Sequence, residues 1–237
     1  MHCLYAPDLN EQKQFTLSES ESHHLINVLR AKTGDQIIIT NGNGQLFEAV
    51  IAVAHKKHTV VDIIAANTFT RTQGNIHLVI APVKTAERLG FLLEKITELN
   101  VTSITPVLTQ NGERRVFHHE KEIHHLIAAI KQSKNPFLPI LHPLTTFEKL
   151  LTDLQHNVAQ KLICHCRNTP TMKLTQQYHP KQDVIICIGP EGDFTAEEVA
   201  TAEQSGFISV SLGNAVLRAE TASIVAAVTI KTIKELS

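Results

Sequence analysis

The stretch VIICIGPEGDFTAEEV, residues 184–199, is an apolar run that ends at the sequence GPEG and continues into a helix-forming segment. A short apolar run bounded by turn-forming residues is typical of a strand that is buried on both faces. Thr195, followed three residues later by Glu198, matches a capping box, which marks where a helix begins. The sequence therefore predicts a buried strand, a turn that carries Glu191 and Asp193, and a helix.

Composition narrows the class of protein. The chain has 237 residues, of which 43% are hydrophobic and 19% are charged, as in ordinary globular proteins. Its formal net charge of −1 gives no general attraction to nucleic acid, so any RNA binding must depend on local basic patches. No apolar run approaches the roughly 20 residues that span a bilayer. Four cysteines without framework spacing, and a start without signal-peptide layout, predict a cytoplasmic protein with reduced thiols.

Two regions differ in pattern. Residues 1–70 carry one helix, SESESHHLINVLR, in which Ser18 and Glu21 match a capping box and Leu25, Val28 and Leu29 form an apolar stripe. The short runs QIIIT, LFEAVIAV and TVVDIIA follow, with the turn sequence NGNG after the first of them. This region is predicted to be a small β-rich domain.

From residue 76 to residue 237, apolar strand signals alternate with amphipathic helices. The strands are expected at IHLVIAPV, SITPVLT, KLICHC, DVIICIG and ISVSLG, and the last helix is expected from about Glu220. This alternation predicts an α/β domain with a mostly parallel sheet, and the domain boundary is expected in the polar stretch 67–75.

The turn after the buried strand is a candidate ligand site, because open α/β sheets bind ligands beyond the carboxyl ends of their strands. A phosphate-binding loop would use bare backbone amides and often a lysine. Glu191 and Asp193 would instead repel a phosphate, so the loop suits a ligand with hydrogen-bond donors or positive charge. The alternative is a tight strand-to-helix turn whose two acids are simply solvated.

A second informative stretch is SLGNAVLRAETASIVAAV, residues 211–228. It reads as a strand end, an irregular loop and a helix with Glu220 in its first turn, where an acid favours the helix dipole. Arg218 stands between apolar Leu217 and small Ala219. It could form a salt bridge with Glu220 or Glu191, or it could orient a substrate and stabilise its charge.

The motifs IGPEGDFTAEE and LGNAVLRAETA, in this order, resemble the RsmE family of small-subunit ribosomal RNA methyltransferases. Further similarity lies in HHLINVLRAKTGD with NGNG, in KTAERLGFLLEKITELNVTSITPV and in AIKQS. The chain departs from the family where Asp193 replaces a second glycine, where Asn214 to Val216 replace Pro-Arg-Ile, and where Lys134 and Asn135 replace Gly-Arg. The resemblance implies a C-terminal SPOUT α/β domain with a trefoil knot, at residues 76–237, and an N-terminal PUA-like β-barrel, at residues 1–70.

The resemblance also implies the cofactor and its site. The family binds S-adenosylmethionine, which carries a sulfonium cation and no phosphate, as the acids in the turn would favour. The implied cofactor-binding residues lie in three strand-end loops and are Cys164, His165, Ile188, Gly189, Pro190, Glu191, Gly192, Leu212, Gly213, Asn214, Val216 and Leu217.

The implied reaction is methylation of the N(3) position of a specific uridine in 16S rRNA. This nitrogen bears a proton, so its methylation leaves negative charge on the flanking carbonyl oxygens. We assign stabilisation of that charge to Arg218, and acceptance of the proton to Glu220 or a water.

The resemblance and the local basic patches also predict the partners. The predicted RNA contacts are Arg30, Lys84, Arg88, Arg114 and Arg115, and the RNA is expected within the small ribosomal subunit. The family also implies a homodimer that uses helices 85–99 and 220–236. Neither a membrane nor DNA is an expected partner.

The sequence is also compatible with other classes of function. The same scaffold could serve as a non-catalytic RNA-binding or ribosome-assembly factor. A nucleotide- or nicotinamide-dependent enzyme is disfavoured, because no glycine-rich phosphate fingerprint follows an early strand. HHEKEIHH lacks the spacing of a metalloprotease helix, and CHC has no second pair of ligands nearby in sequence, so no metal site is predicted.

Overall fold

The computed structural model describes residues 1–71, 74–166 and 172–237. The chain forms two compact units, the first comprising Met1–Arg71 and Ile127–Leu138, the second Thr72–Leu126 and Pro139–Ser237. The predicted ranges 1–70 and 76–237 did not anticipate that 127–138 belongs with the first unit.

The first unit is built on one sheet. Within Met1–Arg71 its strands are β1 to β5: Cys3–Tyr5, Gln14–Thr16, Gln36–Thr40, Gln45–Val53 and Val60–Thr68. They lie in the order β1-β3-β4-β5-β2, with β1 parallel to β3 and the other neighbours antiparallel. One side chain in two along β4 is buried, which gives the unit a single apolar core.

Helix α1 (Glu19–His23) continues directly into a π-helical segment, His24–Val28. The Ser18 hydroxyl caps the helix by accepting from the Glu21 amide at 3.2 Å. The second half of the predicted capping box is absent within the described residues. The Glu21 carboxylate is instead bound by the ammonium of Lys131, at 2.6 and 2.8 Å. The predicted apolar stripe was wrong at Val28, which is exposed, whereas Leu25 is buried.

The predicted turn NGNG joins β3 to β4 and depends on its glycines. Gly42 and Gly44 have φ angles of 72° and 93°, a region that favours glycine. A Cβ atom at Gly44 would lie 2.9 Å from the ring of Phe137, and one at Gly42 would lie 3.1 Å from the Cβ atom of Leu138. The turn therefore packs closely against the 127–138 segment of its own unit.

The second unit is an α/β layer structure. In its described residues the strands are β6 to β13: Ile76–Ile80, Ser103–Leu108, Ile140–Leu141, Thr145–Thr146, Gln160–Cys164, Met172–Lys173, Val184–Ile188 and Ile208–Ser211. The helices are α2 to α7: Ala86–Glu98, His119–Ser133, Phe147–Asp153, Leu174–Gln177, Ala196–Gln204 and Ala219–Glu235. Helix α3 passes from the second unit into the first at residue 127.

The described strands of this unit form a parallel sheet in the order β11-β13-β10-β12-β6-β7-β8, and β9 also pairs with β7. Every residue of β12 is buried, as its unbroken apolar run predicts. The prediction of an α/β domain with a parallel sheet is confirmed. The two-residue strands β8, β9 and β11 were not predicted, because such short segments show no periodicity.

His77 on β6 gives this sheet a pH-dependent weakness. Its Nε2 atom lies 2.7 Å from the Thr105 hydroxyl, and the His142 ring is 5.4 Å away. Burial, with the neighbouring His142, lowers the His77 pKa from 6.5 to about 4. Between these values the unfolded chain binds more protons than the folded chain, so stability falls as the pH falls through this window.

We therefore expect His77 to contribute a loss of about 3 kcal/mol in unfolding free energy between pH 7 and pH 4. The His77→Gln variant keeps a hydrogen-bonding side chain but cannot take up the proton, so its urea-unfolding free energy should fall less over the same range. Equal pH slopes for the two proteins would contradict this assignment.

Candidate active site

Three parallel strands of the second unit end at the same edge of the sheet. In the pairing register Cys164 of β10 aligns with Ile188 of β12 and with Val210 of β13. Because the strands run in one direction, the loops that follow them begin side by side. These are the loops that carry the two sequence motifs.

The three loops enclose a cavity of about 320 Å³. Its lining also includes the first turn of α7. The described residues that line it are Cys164, His165, Cys166, Ile188, Gly189, Pro190, Glu191, Asp193, Val210, Ser211, Leu212, Gly213, Asn214, Ala215, Val216, Leu217, Ala219 and Ala222. The volume lies at the small end of the range for small-molecule sites.

The structure brings together all the residues proposed to bind the cofactor except Gly192, which does not line the cavity in the described part of the chain. The carbonyl oxygen of Gly192 instead accepts a hydrogen bond from Asn111 Nδ2 at 3.0 Å. The predicted binding residues omitted several lining residues, of which Cys166, Asp193 and Ser211 carry polar side chains, although the turn that holds Asp193 was itself a predicted ligand site. Cys166 could have been found as the continuation of the loop after β10.

The two acids of the turn have different partners. Asp193 Oδ2 accepts from the Cys166 amide at 2.9 Å, and Oδ1 accepts from the Phe194 amide at 2.8 Å. Asp193 has a φ angle of 61°, in the left-handed region that glycine and short polar residues tolerate, which explains how it can replace glycine here. Glu191 is exposed, and its Oε1 atom accepts from the Lys84 amide at 3.1 Å. Both carboxylates line the cavity.

Local packing fixes the turn. A Cβ atom at Gly189 would lie 3.0 Å from the buried Phe194 ring, so a larger residue here would need the ring to shift and the position favours glycine. The predicted capping box is confirmed, since Thr195 and Glu198 exchange hydrogen bonds of 3.2 and 2.8 Å at the start of α6. The second carboxylate oxygen of Glu198 accepts from the Gln110 amide at 2.9 Å, which joins this corner to the loop after β7.

The cavity thiols are not activated nucleophiles. Burial raises the pKa of Cys164 well above its usual range, and its side chain behaves as a small apolar group. Burial, followed by the charge of Asp193, also raises the pKa of the exposed Cys166. Both thiols therefore stay protonated at neutral pH, and the arrangement does not favour thiolate chemistry.

The proposed catalytic residues stand beside the cavity. Arg218 is exposed and occupies the N-cap position of α7, between the lining residues Leu217 and Ala219. Glu220 is buried, with its Oε1 atom 3.8 Å from Arg88 Nε. Its Oε2 atom has no hydrogen-bond partner among the described residues. Arg218 and Glu220 do not themselves line the cavity in the described structure.

The residues predicted to contact RNA divide by exposure. Arg30 in the first unit and Arg115 in the second are exposed, while Lys84 is paired with Glu113 at 2.7 Å on the surface. Arg114 is different, because only 15% of its side chain is exposed and its Nη2 atom lies 3.4 Å from the buried Glu122. Its position indicates a structural ion pair.

Two other classes of site find no support in the described structure. Over residues 1–71, 74–166 and 172–237, no three His, Cys, Asp or Glu side chains are grouped so that they could hold a metal ion. Within the same ranges, no helix combines the length and the apolar character that crossing a bilayer demands.

Comparison with known proteins finds relatives of both parts of the chain. The sequence profile of a family described as RNA methyltransferase domain matches residues 70–231, and one described as RNA methyltransferase PUA domain matches residues 17–64. The ribosomal RNA small subunit methyltransferase E of Buchnera aphidicola is 29% identical over 95% of this chain and 90% of its own length.

Two solved structures are similar over nearly their full length. A probable rRNA-methyltransferase from Porphyromonas gingivalis has a TM-score of 0.90 and 33% identity, covering 100% of this chain and 99% of that one. A ribosomal RNA small subunit methyltransferase E from Neisseria gonorrhoeae, bound to S-adenosyl methionine, has a TM-score of 0.87 and 28% identity, covering 98% of both chains. The chain therefore belongs to the RNA methyltransferase family and, within it, to the RsmE family that its two C-terminal motifs indicate.

Proposed function

We propose that this protein transfers a methyl group from S-adenosylmethionine to the N(3) position of a uridine in 16S rRNA of the small ribosomal subunit. The observation that carries the proposal is the cavity at the carboxyl ends of β10, β12 and β13. It is lined by apolar side chains and by two carboxylates, and no lysine or arginine lines it in the described residues. These features suit a cationic ligand that has no phosphate.

The lining residues fit the parts of S-adenosylmethionine. Leu212, Val216 and Leu217 offer an apolar wall for the adenine. Gly213 has a φ angle of 127° and open space where a Cβ atom would stand, so a ligand can approach its backbone closely. Asp193 and Glu191 supply the negative charge that the sulfonium and ammonium groups favour.

When bound, S-adenosylmethionine supplies an electrophilic methyl group. The chain's own residues need only align the two reactants and exclude water. Arg218 is a permanent cation at the exposed edge of the cavity, so it can stabilise the charge that develops on the uracil oxygens. Glu220 is a candidate for accepting the N(3) proton, because Oε2 lacks a hydrogen-bond donor in the described chain, and a water is the alternative acceptor.

The target base must reach this edge of the cavity, so we propose that it is flipped out or unpaired. Exposed cations of both units, among them Arg30 and Arg115, would contact phosphates, and binding should weaken with salt. We also propose that the protein acts in the cytoplasm. A chain of net charge −1 gains little from diffuse attraction to RNA, so we propose that its RNA is held in a subunit particle.

We propose a homodimer built on α2 and α7, which pack against each other. Each helix also exposes a large apolar side chain, Phe91 on α2 and Val228 on α7. A second copy of the chain would cover these side chains. The trefoil knot implied for the C-terminal segment stays a prediction.

Replacing Arg218 with alanine should lower turnover roughly a hundredfold or more, because a charge-stabilising cation would be lost from the reaction. Its affinity for S-adenosylmethionine, measured by calorimetry, should stay within a few-fold of wild type, since the side chain does not line the cavity. Lys149→Ala, which removes an exposed cation on α4, is the matched control and should turn over normally. Equal losses of turnover and affinity in Arg218→Ala would make Arg218 a binding residue instead.

The reaction itself can be tested in cells that lack the gene. Mass spectrometry of their small-subunit RNA should show one uridine without the N(3) methyl group that the parent strain carries. Reintroducing the gene should restore that methyl group. An Arg218→Ala gene should not restore it. Methylation that persists at every site in the deletion strain would rule out this substrate and favour a non-catalytic role on the RNA.

The two neighbouring arginines should respond differently to replacement. Arg114→Ala leaves the buried carboxylate of Glu122 without its cation, so urea unfolding should show a loss of about 3 kcal/mol. Arg115→Ala should change stability little and instead weaken binding to small-subunit RNA, measured over a range of salt concentrations. The assignment fails if Arg114→Ala keeps wild-type stability.

A further inference from the structure

The Asp193 carboxylate connects two walls of the cavity. Through Oδ2 it accepts from the backbone amide of Cys166, 27 residues earlier in the chain, at 2.9 Å. Asp193 belongs to the loop after β12 and Cys166 to the loop after β10, and both line the cavity. A single side chain therefore ties the two loops together at the ligand site.

The backbone conformation at residue 193 is unfavourable for most side chains, including aspartate. With a φ angle of 61°, residue 193 would be least strained as glycine. An aspartate here carries a conformational cost, which its hydrogen bonds to the Cys166 and Phe194 amides offset. Asn111 holds the other side of the loop, because its Nδ2 atom donates to the carbonyl oxygens of Gly192 and Asp193 at 3.0 Å each.

The carboxylate also sets the charge of the cavity. Asp193 is partly buried, whereas Glu191 is exposed. A partly buried charge is screened less by water than an exposed one, so Asp193 should act more strongly on a charged ligand. In the described residues no lysine or arginine lines the cavity to neutralise it.

We propose that Asp193 is a positioning residue that holds the loop after β10 against the loop after β12, and that its charge makes the cavity prefer a cationic ligand over a neutral analogue. The choice of these two ligands rests on the proposed function. The cationic ligand is S-adenosylmethionine, which carries the sulfonium, and the analogue without it is S-adenosylhomocysteine, the product left after methyl transfer. The connection between the loops does not depend on any ligand.

The reactivity of the Cys166 thiol can test the connection between the two loops when no ligand is present. Among the four cysteines it is exposed, while Cys3, Cys164 and Cys187 are buried, so iodoacetamide should modify it first. Asp193→Asn removes the charge but tolerates the same backbone conformation, and Asp193→Gly removes the connection as well. Glu197→Gln, an exposed acid on α6 outside the cavity lining, is the matched control for net charge.

Peptide mass spectrometry at pH 8 should show Cys166 modified roughly threefold faster or more in Asp193→Asn, because loss of the nearby charge raises the thiolate fraction. Asp193→Gly should react faster than Asp193→Asn, since its loop is also released, and Glu197→Gln should match wild type. Equal rates in the two Asp193 variants, with their folding confirmed by circular dichroism, would overturn the connection between the loops.

Calorimetry tests the preference for a cation. Asp193→Asn should bind S-adenosylmethionine roughly threefold to tenfold more weakly and S-adenosylhomocysteine within about twofold of wild type. Asp193→Gly should weaken both. If Asp193→Asn weakens both equally or neither, the role of the charge is wrong. If wild type binds neither compound, the proposed function fails and the cationic preference with it, while the Cys166 rates still decide the connection.

Discussion

The parallel register of β13, β10 and β12 is the constraint on which the site depends. Because Cys164 aligns with both Ile188 and Val210, three chain segments that are far apart in sequence leave the sheet at one edge. Strands β10 and β12, which are almost entirely buried, hold that register, since a slip would move side chains out of their packing sites. The cavity lies between the loops that follow these three strands.

Acidic and basic side chains occupy different places at this edge of the sheet. The described cavity lining carries Glu191 and Asp193, whereas Arg218 stands just outside it and is exposed. A cationic methyl donor would meet the two carboxylates in the cavity, and an anionic RNA would meet Arg218 outside it. A chain of net charge −1 can therefore serve both ligands by local placement of its charges.

Local patterns predicted a large part of this structure. The capping box of Thr195 and Glu198, the buried strand before it and the NGNG turn depend on neighbouring residues, so the sequence carries them directly. The loops of the cavity could be predicted because strand ends in a parallel sheet share an edge. Family resemblance then supplied the identity of the cofactor, which no periodicity contains.

Contacts between distant residues were not predictable in the same way. The Asp193–Cys166 hydrogen bond requires the order of β10 and β12 in the sheet, and Glu21 is bound by Lys131, 110 positions away. Arg114 and Arg115 are adjacent in sequence, yet Arg114 lies 3.4 Å from the buried Glu122, whereas Arg115 donates to the carbonyl oxygen of Gln110. Nothing in the local sequence around Glu122 marks it as the partner.

The discontinuous first unit limits how this protein can be dissected. A fragment that ends near residue 71 would lack the 127–138 segment, and with it the ammonium that binds the Glu21 carboxylate and the ring against which Gly44 packs. Such a truncation would expose the turn at Gly42 and Gly44 and leave the Glu21 carboxylate without its cation. Expressing the N-terminal module alone would therefore require grafting that segment back through a linker.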